Sequence, residues 1–311
     1  MMKTLFYIHY INDKIEINYK KVVRGLGKHS NISKDSVTEK RNLNFEFYLT
    51  SFTKEQYMRI YDVLKDTHDH TFKAVYERLN TRTDEVEAEL AKEAENVLIK
   101  FNNIDPDYFD YGDYVDSISE YVYERLDEQF LMHYQFELMS LSNLYQVFEQ
   151  QLRKWLYEAM THHFNEYINQ VKFTHVDNKN NNAYDNFFNN FGKLTDLFTK
   201  LKLTFTNPFG DEELIVETDI WKTIRECNLL SNTYKHGSGH SATNLYEAYP
   251  QYFEKVNSTR LMDLYRTTNL ERVLDVDKIS FEKYSNAMKE FWGNMKEYQN
   301  GTLLMNVRTS S

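Results

Sequence analysis

The sequence predicts a mainly α-helical protein, and three observations predict it. Proline and glycine number only 3 and 9 among 311 residues, too few turn formers for a many-stranded sandwich or barrel. From residue 54 onward, apolar residues recur three and four positions apart over long stretches, the spacing of a helix face. Hydrophobic residues make up 41% and aromatic residues 15% of the chain. That is enough to build a sizeable core and excludes wholesale disorder.

The first fifty residues differ from the rest. Leu5–Ile11 and Lys14–Tyr19 alternate around Asn12-Asp13, and Asn44–Leu49 alternates again, as half-buried strands do. Gly25 to Arg41 is polar and reads as a long loop. The region is read as either a small sheet or irregular structure resting on helices. Thr53 is a candidate N-cap, with Gln56 completing a capping box, for a helix over 54–79. Thr83 opens another, carrying Glu85 and Glu87 near its first turn. Asn102–Pro106 breaks it, since proline disfavours helix at the residue before it. This divides the chain into an N-terminal region, 1–105, and a helical domain, 106–311.

Residues 112–170 read as one or two long helices, on which Leu138, Leu141, Tyr145, Phe148, Leu152 and Trp155 form an apolar stripe. An Asn-rich break at 177–182 precedes a helix over 183–201 and a turn at Asn207–Gly210. Helices then follow at Asp219–His236, at Ser241–Tyr249 before Pro250, and at about 279–298. No repeat with the period of a solenoid is present.

The single cysteine, Cys227, can form neither an internal disulfide nor a thiolate cluster, so a reducing compartment is expected. No apolar run has the length that spans a bilayer. The N-terminus lacks a signal-peptide core and cleavage site. The expectation is a cytoplasmic protein with no membrane partner. A net charge of −10 argues against a general nucleic-acid coat, though it leaves room for a small local site.

Most chemical motifs are missing: there is no phosphate-cradling glycine loop, no Gly-x-Ser-x-Gly elbow and no His-Glu-x-x-His. His68-Asp69-His70 and His162-His163 place their imidazoles on different helix faces. They are therefore read as surface residues, with no metal and no cofactor expected.

The helix 219–236 is the informative one. At about 100° per residue, Ile220, Ile224, Cys227, Ser231 and Tyr234 share one side. Arg225, Leu229, Asn232 and His236 share another, a mainly polar stripe. Gly237 stands where a left-handed residue commonly ends a helix, and Lys235 and His236 fall in the last turn, where cations suit the helix dipole. By itself this describes a well-capped helix end.

The segment Arg225–Gly237, reading Arg-Glu-Cys-Asn-Leu-Leu-Ser-Asn-Thr-Tyr-Lys-His-Gly, resembles a signature of helical bacterial proteins related to the HEPN superfamily. Ser142–Arg153 resembles the long core helix of that fold, and Val276–Trp292 its closing helix, so the resemblance covers roughly residues 130–295. It implies a helical bundle in the C-terminal half, working as a homodimer. It also implies, in many relatives, metal-independent ribonuclease activity in toxin–antitoxin or phage-defence systems. Other relatives are catalytically silent. The active pattern is an arginine, four to six residues, then a histidine. Asn232 and His236 resemble its Asn-x-x-x-His portion. The arginine departs from it: positions 229, 230 and 231 are Leu, Leu and Ser, and the nearest upstream arginine is Arg225.

That departure has a geometric meaning. Arg225 and His236 share a face, but their Cα atoms lie about 16 Å apart along the axis, and helical side chains lean toward the N-terminus. One phosphate cannot be served by both within one chain. Across an antiparallel two-fold near Leu230–Ser231 it can. The expected roles are His236 as acid or base, Arg225 or Lys235 as the cation on the phosphate, and Asn232 as the residue orienting the imidazole. Glu149 can orient one of these, or can form an ordinary i,i+4 pair with Arg153, the reading preferred. Two functions follow. One is a dimeric ribonuclease effector acting on RNA. The other is a non-catalytic interaction module partnering an antitoxin or defence enzyme.

Overall fold

The computed structural model describes residues 38–77, 83–101, 110–161, 194–206, 210–264 and 273–308. Among these the protein is mainly helical. The helices are α1 (Ser51–Val75), α2 (Thr83–Phe101), α3 (Tyr111–Thr161), α4 (Leu194–Leu201), α5 (Asp219–His236), α6 (His240–Ala248), α7 (Leu261–Leu264) and α8 (Phe281–Asn294). Six short or peripheral strands accompany them: β1 (Thr38–Tyr48), β2 (Thr204–Thr206), β3 (Glu212–Leu214), β4 (Lys255–Val256), β5 (Thr259–Arg260) and β6 (Tyr298–Arg308). The predicted strands at 5–11 and 14–19, the breaks at 102–106 and 177–182, and residues 183–193 lie outside the described residues.

Two strands far apart in sequence meet in one ribbon. β1 runs antiparallel to β6, in a register from Thr38↔Arg308 to Tyr48↔Tyr298. Leu43, Phe45, Phe47 and Leu49 face inward, and Gln299, Gly301 and Leu303 answer them from β6. The strand foreseen at 44–49 therefore starts earlier, at Thr38, within the stretch read as loop. Its first residues carry no apolar alternation, so only the backbone ladder to β6 reveals them. The last helix was expected to reach 298. It stops at Asn294, and Met295 turns extended at φ −61°, ψ 135° to start the path into β6.

The helix starts follow local chemistry. Thr50, and not Thr53, caps α1: its hydroxyl accepts the Thr53 amide at 3.2 Å, and the helical bond from Lys54 N–H to the Thr50 carbonyl is already formed. Thr218 caps α5 by accepting the Trp221 amide, while its own hydroxyl donates to the Ile215 carbonyl. The region 112–170 resolves, as far as it is described, into the single 51-residue α3, about 76 Å long. β4 and β5 are joined by Asn257-Ser258, both at positive φ (49° and 67°), as a tight two-residue hairpin requires.

The core sits where α1, α3, α5 and α8 converge under the β1–β6 ribbon. Trp292, Phe291, Phe148, Tyr61, Leu138, Leu141, Leu144 and Leu152 are almost wholly buried there. The Phe148 and Trp155 rings pack around Trp292 and Phe291, with Phe148 edge-on to Phe291 at 5.0 Å. One chain of polar groups crosses the core: Trp292 Nε1–H donates to the Tyr61 hydroxyl at 3.2 Å, and the Tyr61 hydroxyl donates to Gln151 Oε1. The core takes in Leu43, Phe45, Phe47, Leu49 and Tyr61 together with described residues between Tyr134 and Leu303. The first third of α3 and all of α2 stand outside it, holding their own small contact of Val86, Leu90 and Ala94.

Candidate functional site

α5 spans Asp219–His236, as its caps and charges predict, and Gly237 ends it with φ 65° and its amide on the Thr233 carbonyl at 2.8 Å. It is the most enclosed of the helices that carry predicted site residues. It runs antiparallel to α3, since Tyr234 O–H donates to Gln135 Oε1 (3.0 Å), Ser231 meets Ser142 (3.2 Å), and Tyr145 lies near Arg225 and Cys227. α8 and α6 cover further sides. The buried side is accordingly wider than the helix wheel predicts: Trp221, Glu226, Leu230 and Thr233 join Ile224, Cys227 and Ser231, while Ile220 and Tyr234 are only half-buried. The predicted polar stripe remains the open one. Arg225, Asn228, Leu229 and Asn232 are half-buried, and Lys235 and His236 are exposed.

The five predicted residues fall into two groups. At one end, Arg225 donates through Nη1 to Asn228 Oδ1 at 3.0 Å. Glu149 is held by Arg153 in a two-pronged contact of 2.7 and 3.0 Å, the i,i+4 pair preferred from the sequence. Both lie close enough for their charges to act on the Tyr145 hydroxyl: burial pushes its pKa up, Glu149 adds to that, and Arg225 and Arg153 oppose it. At the other end stand Lys235 and His236, with Asn232 one turn before them. Within one chain the structure therefore gathers Arg225 and Glu149, and leaves His236 and Lys235 at the far end of the helix.

Sequence reasoning missed a deeper polar centre on another face of α5, about a quarter-turn round from the open stripe. Glu226 is 4% exposed. Its carboxylate accepts from Lys283 Nζ at 2.7 and 2.9 Å, from the Tyr284 hydroxyl at 2.7 Å and from the Tyr252 hydroxyl at 2.5 Å. Burial first, and then the bonds to Tyr252 and Glu226, hold the Tyr284 hydroxyl protonated far above the usual phenol range. Every group in this centre has a partner in reach, and it locks α5 to α8. A helix wheel does not flag it, because Glu226 falls outside the apolar side of α5, with Lys222 and Thr223 among its neighbours one turn away.

His68 also departs from the surface reading. Its ring stacks on Phe281 at 4.2 Å and 3°, and its Nε2 meets Glu137 at 3.1 Å, with His133 at 3.6 Å from the same carboxylate. A long aromatic helix face buries what adjacent-residue geometry placed in water. His70 is exposed and bonds the Asp66 carbonyl; His162-His163 lies outside the described residues. Among the described residues no three His, Cys, Asp or Glu side chains come together in a way that could hold a metal, and no helix is long and apolar enough to cross a membrane. Compared with family models, curated proteins and solved structures, the chain finds no match.

Proposed function

We propose that the chain is a HEPN-like effector whose metal-independent RNA-cleaving centre is formed by two copies. The observation that supports this reading is the open stripe of α5. A helix enclosed on its other sides keeps Arg225, Asn232, Lys235 and His236 accessible on or beside one face. Leu230 and Ser231 are buried within the chain, so an antiparallel contact between copies would run through Asn228, Leu229 and Asn232. It would set Arg225 of one copy beside His236 of the other.

In that arrangement the chemistry needs no redox step and no outside reactant. An imidazole takes the proton of a 2′-hydroxyl as its oxygen attacks the adjacent phosphorus. Guanidinium or ammonium groups stabilise the added negative charge, and the 5′-oxygen leaves with a proton. His236 is the proton carrier, Arg225 and Lys235 are the cations, and Asn232, one turn from His236, orients its ring. Such an effector works on RNA in the cytoplasm, in phage defence or a toxin–antitoxin response, with an antitoxin or defence protein restraining it.

A second reading is favoured by one specific contact. Arg225 is already engaged by Asn228, which suits a non-catalytic interaction module. RNA cleavage by the purified protein in EDTA, measured beside the melting temperature, separates the two. The expected result is cleavage that survives the chelator and is lost in His236→Ala with the melting temperature nearly unchanged, because an exposed helix-end residue contributes only about 0.3–1 kcal/mol through the dipole. Unaltered cleavage by a folded His236→Ala protein removes this site; no cleavage by the unmutated protein leaves the module.

A further inference from the structure

The charge of the chain is not spread over it. Residues 83–132 contain 15 Asp and Glu against 3 Lys and Arg, which leaves 32 against 34 in all the rest. The excess of acid thus belongs to the stretch that begins with α2 and ends about two-fifths of the way along α3. That segment is also the part outside the main core.

α2 and α3 pack side by side here, with Glu93 reaching both Tyr121 and Arg125. With the end of α1 they enclose an open groove of about 510 Å³. Its lining residues recur at helical spacing on both walls: Val86, Leu90 and Glu93 on α2, Arg125, Gln129 and Met132 on α3. The floor is apolar, and part of it faces water: Val75 is 55% and Met132 59% exposed. The rim is acidic, with Glu89, Glu93 and Glu128 around one guanidinium, that of Arg125, which pairs with Glu128 at 2.6 Å and Glu93 at 3.7 Å.

We propose that this groove is the docking site for a basic, amphipathic helix of a partner protein. Two helices packed side by side leave an open seam that a third helix fills, placing apolar side chains at i, i+3 and i+4 on the floor. Its Lys and Arg residues then meet the carboxylate rim. The same acidity turns away RNA and anionic lipid surfaces, and sets the hairpins of two copies against each other. A methionine on the floor adapts to anchors of different shape.

The test uses the full-length protein and a fluorescent, designed Leu/Lys amphipathic helix, with a Leu/Glu helix of the same pattern as control, read by anisotropy. Saturable binding of the Leu/Lys helix alone is expected, weakening as salt is raised. Met132→Asp should weaken it about tenfold, whereas Asp116→Lys, an exposed acid outside the groove, should change it by less than about threefold. Circular dichroism confirms that both variants stay folded. Equal losses in the two variants would reduce the effect to diffuse attraction and overturn the proposal. So would absence of binding at low salt. Displacement by spermine as potent as by unlabelled helix would reassign the groove to small cations.

Discussion

Glu226 is held by one ammonium and two phenol hydroxyls, and each of those donors has the carboxylate as its buried partner. Glu226→Ala strands them together, and unfolding by urea should show a loss of about 2–4 kcal/mol; Tyr284→Phe removes one bond and should lose about 1 kcal/mol. A loss under about 1 kcal/mol in Glu226→Ala would mean that Lys283, whose side chain is 43% exposed, simply turns to water. The His68–Glu137 pair predicts a pH dependence. Burial works against the charged His68 ring, but the bond and charge of Glu137, helped by Asp69, outweigh it and raise its pKa above the ordinary 6.5. Burial likewise opposes the Glu137 carboxylate, and bonds from His133 and His68 prevail, lowering its pKa below 4.5. The histidine contribution is complete below the unfolded value and fades as pH rises through the raised one. The glutamate contribution is complete above its unfolded value and fades as pH falls through the lowered one. Melting temperature should therefore decline as pH rises from 6.5 through the raised His68 value. Glu137→Gln should flatten that decline, and an unflattened profile would dissociate it from this pair.

Among the elements, β6 is held most closely at Gly301. A Cβ there would stand 3.0 Å from Leu201 Cδ2 and from the Phe47 ring, and 3.1 Å from the Leu201 carbonyl. Gly301→Ala should destabilise by about 1–3 kcal/mol, measured by thermal or urea unfolding; a neutral substitution would show that α4 can withdraw from the ribbon. How much of this was legible in the sequence depended on the kind of signal. α5 was read to its ends because its caps, dipole charges and apolar stripe all act locally. The start of α1 was misplaced by one turn because Thr50 and Thr53 are both competent caps, and the choice lies with packing. β6 was missed because its pairing partner lies ~250 residues away, and periodicity carries no information about partners. Of the site, the stripe on α5 was visible and the separation of Arg225 from His236 followed from the rise of the helix, while the place of Glu149 depends on how α3 packs against α5. Glu226 and His68 were hidden because their partners come from α8 and α3.

For the whole molecule, the segregation of charge changes what the net value of −10 means. Residues 83–132 hold 15 of the 47 Asp and Glu but only 3 of the 37 Lys and Arg, so the excess of acid is not centred on the α5 stripe. Light scattering at micromolar concentration should give a homodimer if the two-copy centre holds, and a monomer would remove it. The β1–β6 ribbon has a further consequence, for synthesis on the ribosome. Tyr48 and its partner Tyr298 are ~250 residues apart. At about 5–20 residues per second the first strand waits roughly 10–50 s for the second to emerge. Until then Leu43, Phe45 and Phe47 have no sheet to complete. A translation product that stops short of residue 298 is left with an open strand edge, which marks it for proteases and chaperones.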